Sequence, residues 1–250
     1  MARAGMADLA SHRAVHNLTL VEAERASGIV GVRGRMVMEW SDVCSGYALN
    51  QRMLMEMEDV DGSRVVSDFR FTTWESRDGL TFRFNLRHEI NNRLAEEVAG
   101  RATLDGPGQG GTVRFDKPEG ATLALPPGTI FPSEHTALTV AATKAGKTRL
   151  SAIVFDGSGV DGLYEAVAFV ADPLPPESGE KPPYGALAGL ASWPVRLAFF
   201  RVGDQTGTPE YEMTVRLFSN GVAGDLVLDY DDFSVRGELE QIEMLGEPDC

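Results

Sequence analysis

The chain has no run of about 18 consecutive apolar residues, so the sequence predicts no membrane-spanning helix. It also has no stretch of clustered Lys and Arg, and its formal net charge is −14. Such a charge repels phosphate backbones and anionic membrane faces, so we expect no nucleic-acid partner. The same charge favours a soluble monomer.

Cysteine is scarce: Cys44 follows a strand-like run, and Cys250 is the last residue. A disulfide between them would hold a chain end that otherwise frays. It would enclose roughly 200 residues and contribute at most about 5 kcal/mol. The alternative is two unrelated free thiols. Two cysteines alone cannot form a structural zinc site.

A disulfide persists only in an oxidising compartment, which favours the periplasm, the cell surface or the exterior. Residues 1–8 lack the apolar centre of a signal peptide. Taken together, these two points predict an exported protein whose signal has been removed. We expect residues 1–8 to be disordered or to come from an expression vector.

Apolar and polar residues alternate in long stretches, clearest over residues 30–40, 47–57 and 80–87. A period of two places one face of a strand on a core and the other in water. The pairs Asp61-Gly62, Asp78-Gly79 and Asn220-Gly221 separate such stretches and are typical of hairpin turns. The pattern predicts a mainly β protein built as a long antiparallel meander.

One helix interrupts this pattern, over residues 132–147. Ser133 is a candidate N-cap, Glu134 suits the first turn, and Gly146 suits the position past the end. A second helical turn is expected over residues 186–191. Five prolines fall within residues 172–185, which excludes a central strand there and predicts a long surface loop. Because strand patterns continue on both sides, residues 9–250 are expected to form one domain.

Neither the histidines nor the glycine-rich loops predict a metal, cofactor or catalytic site. His12 and His16 share one face of a strand but lie too far apart for easy chelation, while His88 and His135 are isolated. The stretch 156–162 resembles half a calcium loop without its terminal Glu, and is more typical of a hairpin loop. The stretch 106–111 lacks the Lys-Ser/Thr pair of a phosphate loop. No serine lies in a nucleophile elbow, although a triad assembled by folding stays open.

Methionine is concentrated on two consecutive predicted strands, at Met36, Met38, Met53, Met55 and Met57. Adaptable Met side chains occur on surfaces that bind varied apolar ligands. Plain core packing is the competing interpretation, and we favour it.

Several short motifs, each weak alone, together resemble the EipB family of alphaproteobacteria, the envelope integrity protein B family. The resemblance begins near Leu9 and covers nearly the whole chain. The motifs are Gly34-Arg35-Met36-Val37, Cys44-Ser45-Gly46-Tyr47, Thr73-Trp74-Glu75, Phe82-Arg83-Phe84-Asn85, Leu125-Pro126-Pro127-Gly128, Phe131-Pro132-Ser133-Glu134-His135, Trp193-Pro194-Val195, Pro209-Glu210-Tyr211-Glu212, Gly224-Asp225-Leu226-Val227 and Arg236-Gly237-Glu238-Leu239.

The resemblance implies a periplasmic protein with an open, barrel-like β-spiral and a disulfide between Cys44 and Cys250. It implies a role in envelope integrity and supplies no catalytic residue and no cofactor. We therefore expect a non-enzymatic protein that acts through contacts with a periplasmic envelope protein. The fold is similar to that of lipoprotein carriers, which is an analogy of fold alone. One alternative is therefore a carrier that holds a lipid, acyl chain or lipoprotein in the concave face. A less favoured alternative is an envelope hydrolase.

Overall fold

The segments in which apolar and polar residues alternate form the strands of a single 15-stranded sheet. A computed structural model describes residues 9–176, 184–203, 207–246 and 248. Residues 1–8, residues 177–183 of the proline-rich segment and Cys250 therefore lie outside the described residues.

The first half of the chain forms eight strands. They are β1 (His12–Ala23), β2 (Ile29–Asp42), β3 (Gly46–Asp59), β4 (Arg64–Ser76), β5 (Thr81–Ile90), β6 (Arg93–Leu104), β7 (Gly111–Lys117) and β8 (Thr122–Leu125). The second half adds a helix, α1 (Pro132–Lys144), and seven further strands. These are β9 (Thr129–Ile130), β10 (Arg149–Phe155), β11 (Leu163–Val170), β12 (Ser192–Arg201), β13 (Tyr211–Phe218), β14 (Ala223–Asp229) and β15 (Phe233–Met244).

The sheet consists of two meanders that meet through the first and last strands. The strand order runs from β8 back to β1, then from β15 back to β9. The β1–β15 pairing is antiparallel, with His12 opposite Met244, while β9 pairs with β10 in parallel. The two ends of the described chain therefore lie side by side in the middle of the sheet.

The predicted hairpins are confirmed. Asn220-Gly221 joins β13 to β14, and Gly221 has a φ of 83°, which favours glycine over residues with a Cβ. Gly62 and Gly79 adopt the same region at the β3–β4 and β4–β5 turns. Burial follows the alternation as well, since Phe82, Phe84 and Leu86 are buried on one face of β5.

The sheet curls until its two ends overlap. Phe82 on the concave face of β5 lies 5.0 Å from Phe131 and 6.1 Å from Phe155 of β10, measured between ring centroids. Phe155 and its neighbour Val154 point to opposite faces of β10, yet both are buried. Because β10 is covered on both faces, its outer face must pack against the inner face of β5. The open, barrel-like spiral predicted from the sequence is confirmed.

Helix α1 lies on the concave side of this sheet. Ala137 and Val140 of the helix share a buried cluster with Met36, Met53 and Met55 of β2 and β3. The core-packing interpretation is therefore confirmed for these three methionines, which are 4–8% exposed.

The helix was predicted in the right place, but its N-cap was predicted wrongly. Ser133 lies within the first turn, which begins at Pro132, and the residue before the helix gives no side-chain cap. The amide of Ser133 donates instead to Glu75 Oε1 at 2.8 Å. Gly146 follows the helix with a φ of 69°, as predicted.

The second helical turn lies earlier than predicted. A short 3₁₀ turn spans Tyr184–Leu187, and Leu187 is buried against Phe218 and Val222. Residue 174 pairs with residue 192 in an isolated bridge, so the start of the proline-rich segment runs along β12. In the described parts of the chain, no helix is long and apolar enough to cross a bilayer.

Candidate functional site

Cys44 lies in the exposed turn between β2 and β3. Its φ is 60°, in the left-handed region. Its amide donates to Asp42 Oδ1 at 3.0 Å, and its carbonyl accepts from Nε of Arg77 at 2.9 Å. Two side chains therefore hold the backbone of this cysteine, while the amide of Val43 closes the turn by donating to the carbonyl of Gly46 at 2.9 Å.

The C-terminal end of β15 approaches the same turn. The amide of Leu245 donates to the carbonyl of Ser11 at 2.8 Å. The Ser11 hydroxyl in turn accepts from the amide of Asp42 at 3.0 Å. Neighbouring strands are about 5 Å apart, so roughly 10 Å of sheet separates residue 245 from the turn. Cys250 itself lies outside the described residues, and its pairing with Cys44 stays a prediction.

Arg77 connects the Cys44 turn to the interior. Its guanidinium contacts Asp42 Oδ1 at 2.5 Å and donates to the Tyr47 hydroxyl at 3.4 Å. Tyr47 stacks on Trp40, with ring centroids 5.3 Å apart. The Trp40 indole Nε1 donates to the Ser133 hydroxyl at 3.2 Å. A continuous set of contacts thus runs from the turn to helix α1.

Glu75 lies at the inner end of this set. It is 1% exposed on the concave face of β4, where it pairs with Tyr47 of β3. Burial raises the pKa of the Glu75 carboxyl to about 7, while the amides of Ser133 and Glu134 act in the opposite direction. Glu75 Oε2 has no hydrogen-bond partner among the described residues. The carboxyl therefore supplies the cap of α1 from another element.

The sequence carries a signal for Glu75 beyond its place in the motif Thr73-Trp74-Glu75. Glu75 has the same parity as Phe69, Phe71 and Thr73, so an acidic residue stands on the apolar side of an alternating strand. Such a position predicts a buried carboxyl with a specific partner. The partner lies 58 residues away and could not be found from the pattern.

The four histidines lie on three elements, namely β1, β5 and α1. His12 and His16 lie on the concave side of β1, where burial lowers the pKa of each. His16 Nε2 lies 2.8 Å from the carbonyl of Gly224. Burial within α1 lowers the pKa of His135 to about 4. Within the described residues, no group of three His, Cys, Asp or Glu side chains could hold a metal ion.

His88 is the one histidine found beside a serine hydroxyl in the described structure. Its Nε2 lies 2.8 Å from Ser67 Oγ, on the concave side of β4 and β5. In the parts of the chain that are described, no carboxylate is hydrogen-bonded to His88. Ser67 also lies within a regular strand, opposite Ile90, rather than at a nucleophile elbow. The arrangement supplies two members of a hydrolytic triad without the third.

The loop that resembles half a calcium site is a hairpin, as expected. It connects β10 to β11, and Asp156 Oδ1 accepts from the amide of Ser158 at 2.8 Å. Asp156 Oδ2 accepts from the Tyr211 hydroxyl at 3.3 Å. Desolvation raises the pKa of Asp156, and this half-buried carboxyl serves to hold the loop by hydrogen bonds.

The curled sheet with its inner helix defines a class of barrel-like β proteins. A crystal structure described as a β-barrel-like protein of a domain of unknown function, from Brucella abortus, has the same fold. Its TM-score is 0.86 and its sequence identity 33%, and the match covers 95% of this chain and 98% of that one.

The chain matches the EipB-like family over residues 3–246. It is also 34% identical over 240 residues to the cell envelope integrity protein EipB of Brucella abortus strain 2308. That match covers 94% of this chain and 84% of the relative. The chain therefore belongs to the EipB-like family, which confirms the resemblance found in its motifs and supports an envelope-related role.

Proposed function

We propose that this chain is a non-enzymatic periplasmic protein that supports the integrity of the cell envelope. The observation that carries the proposal is the match, over nearly the whole length, to a protein named for that role. The net charge is strongly negative, and α1 packs against core side chains on the concave side. These features support action through contacts with other envelope proteins rather than through a reaction.

The proposal includes a disulfide between Cys44 and Cys250. The bridge is supported by the approach of residue 245 to Ser11 and of Ser11 to Asp42. Four further residues can extend roughly 14 Å, which is enough to reach from residue 246 to the Cys44 turn. The bridge would hold the end of β15 against the β2–β3 turn.

The role can be tested in the organism that encodes the protein. A strain without the protein is expected to become more sensitive to detergent, and the exported protein is expected to restore resistance. A matched version without an export signal is expected to restore nothing. Restoration by the cytoplasmic version, with both thiols reduced, would contradict the periplasmic assignment.

The Ser67–His88 contact makes a hydrolase the specific alternative. An active serine reacts with a fluorophosphonate probe, and we expect no labelling of Ser67 because no carboxylate orients His88. The Ser67→Ala variant is the matched control for background labelling. Labelling that is lost in Ser67→Ala would favour the hydrolase.

The carrier alternative is tested by native mass spectrometry of protein purified from its own periplasm. We expect the mass of the polypeptide alone, because Ala137, Val140 and the buried methionines already occupy the concave face. A co-purifying lipid or acyl chain would favour the carrier instead.

A further inference from the structure

The outer face of β5, β6 and β7 carries a row of three arginines. Arg83 lies directly opposite Arg101, and Arg101 lies directly opposite Arg114. All three are exposed. Because adjacent strands are about 5 Å apart, the row extends roughly 10 Å across the sheet. We call these three residues the arginine row.

The arginine row is not ion-paired within the described structure. No ion pair or hydrogen bond joins any of its three side chains to another described residue. Several other arginines of the outer face are paired, as Arg35 is with Glu240 at 2.8 Å and Arg196 with Glu212 at 2.7 Å. Like charges directly opposite one another destabilise a sheet. The arginine row therefore places three adjacent like charges, without an ion pair, on a chain whose net charge is −14.

Neutral threonines flank the arginine row on one side, whereas Asp116 of β7 lies two residues from Arg114 on the other side. Thr81, Thr103 and Thr112 form a second row across the same three strands, two residues from the arginines. At one end of the arginine row, Trp74 of β4 lies opposite Arg83, whose guanidinium sits 5.0 Å from the indole ring. A cation–π contact of this kind restrains the guanidinium and leaves its N–H groups available to a ligand.

The chemistry of this face selects among anionic ligands. Guanidinium groups bind carboxylates and phosphates in a two-pronged geometry, and threonine hydroxyls hydrogen-bond to other hydroxyls. Binding in a membrane interface also requires an apolar surface. The exposed large apolar side chains of the described chain lie elsewhere, for example at Val60, Leu94 and Phe169. A polar ligand with regularly spaced negative charges fits better than a lipid surface.

We propose that the arginine row and the adjacent threonines bind an acidic saccharide chain. The carboxylate or phosphate groups of the saccharide contact the arginines, and its hydroxyl groups contact the threonines. This site goes beyond the envelope role proposed above, because it follows from the strand register and not from the disulfide or the compartment.

Isothermal titration of the full-length protein with hexagalacturonate, an acidic saccharide, tests the site. Maltohexaose is the uncharged control. We expect hexagalacturonate to bind and maltohexaose not to bind. For contacts with three arginines, the logarithm of the association constant should fall with the logarithm of salt concentration with a slope of about −2.

The central arginine provides the decisive variant. Arg101→Gln is expected to weaken binding about tenfold, since hydrogen bonds to a charged group are lost. It should also make the salt slope shallower by about 0.7. Arg35→Gln removes the same charge from a paired arginine of the outer face and is expected to leave binding unchanged. Circular dichroism verifies that both variants fold.

Three outcomes would overturn the proposal. One is the absence of hexagalacturonate binding, and another is equal binding by the wild type and Arg101→Gln. The third is binding to phosphatidylglycerol vesicles, through the same arginines, without binding to hexagalacturonate. That result would assign the site to a membrane surface.

Discussion

At the scale of single residues, Glu75 shows how one buried carboxyl links two distant elements. It lies on β4 and caps the first turn of α1, and its pKa is raised to about 7 by burial. A carboxyl whose pKa is higher in the folded than in the unfolded state keeps its proton longer when folded. The contribution of Glu75 to the free energy of unfolding is therefore at its maximum below about pH 4.5, and it decreases as the pH rises towards 7.

The first prediction concerns the pH dependence of stability. The wild type is expected to lose up to about 3 kcal/mol of its free energy of unfolding between pH 4.5 and 7, as Glu75 ionises. Glu75→Gln resembles the protonated carboxyl at every pH, so this loss should be absent from the variant. Thermal melts at pH 5 and pH 8 should show a smaller difference for the variant than for the wild type. Glu165→Gln, on the exposed face of β11, should leave the difference unchanged. An unaltered pH dependence in Glu75→Gln would contradict the account of Glu75.

Prediction from sequence failed at this residue for a physical reason. Serine is a common N-cap residue, so the sequence Pro132-Ser133-Glu134 favours Ser133 as the N-cap of the helix. In the fold the cap comes from Glu75, whose position opposite the helix depends on the curl of the sheet. Likewise, the arginine row is visible only once the register places Arg83, Arg101 and Arg114 side by side.

At the scale of elements, the aromatic cluster between β5 and β10 closes the spiral. No hydrogen-bonded ladder joins β8 to β9, the two edges of the described sheet. The overlap depends on side chains instead, with Phe84 lying 5.4 Å from Phe155 and Phe82 lying 5.0 Å from Phe131 between ring centroids. Contacts between aromatic rings therefore hold the two ends of the sheet together, whereas hydrogen bonds between strands do so in a closed barrel.

The second prediction follows from this closure. Phe82→Ala removes a fully buried ring and should cost about 3–5 kcal/mol, lowering the melting temperature by about 10 °C. It should also increase hydrogen exchange in β10 more than in β2. Phe169→Ala is the control, because that ring is 46% exposed on β11. Equal destabilisation by the two substitutions would show that the overlap contributes little.

Strands and hairpins were largely predictable, whereas the overlap was not. Alternation and the Asn220-Gly221 turn are local, and β13 and β14 lie where the sequence predicts them. Burial of both Val154 and Phe155 arises because β10 lies beneath β5. A doubly buried strand of this kind looks like any short apolar run in the sequence.

At the scale of the whole molecule, the first and last strands lie together in the middle of the sheet. Antiparallel pairing of β1 with β15 already joins the two chain ends. A bridge between Cys44 and Cys250 would add a covalent link at the edge of this pairing. The two cysteines would then stabilise the closed arrangement without any redox chemistry.

The third prediction concerns that bridge. Cys250→Ser should lower the melting temperature by about 5–10 °C, because a cross-link that restricts the unfolded chain is lost. Cys44→Ser should have the same effect, and the double variant should lose no more than either single one. Strong reductant should lower the melting temperature of the wild type and leave those of the three variants unchanged. Additive losses in the double variant would show that the two residues act separately.

The most direct test of the account is the state of the two cysteines in protein recovered from its own cells. Peptide mapping by mass spectrometry without reduction, after free thiols are blocked, distinguishes the possibilities. We predict a peptide pair joined through Cys44 and Cys250 in the periplasmic fraction, which separates after reduction. Recovery of both cysteines as blocked free thiols, in the cytoplasmic fraction, would contradict the central claim.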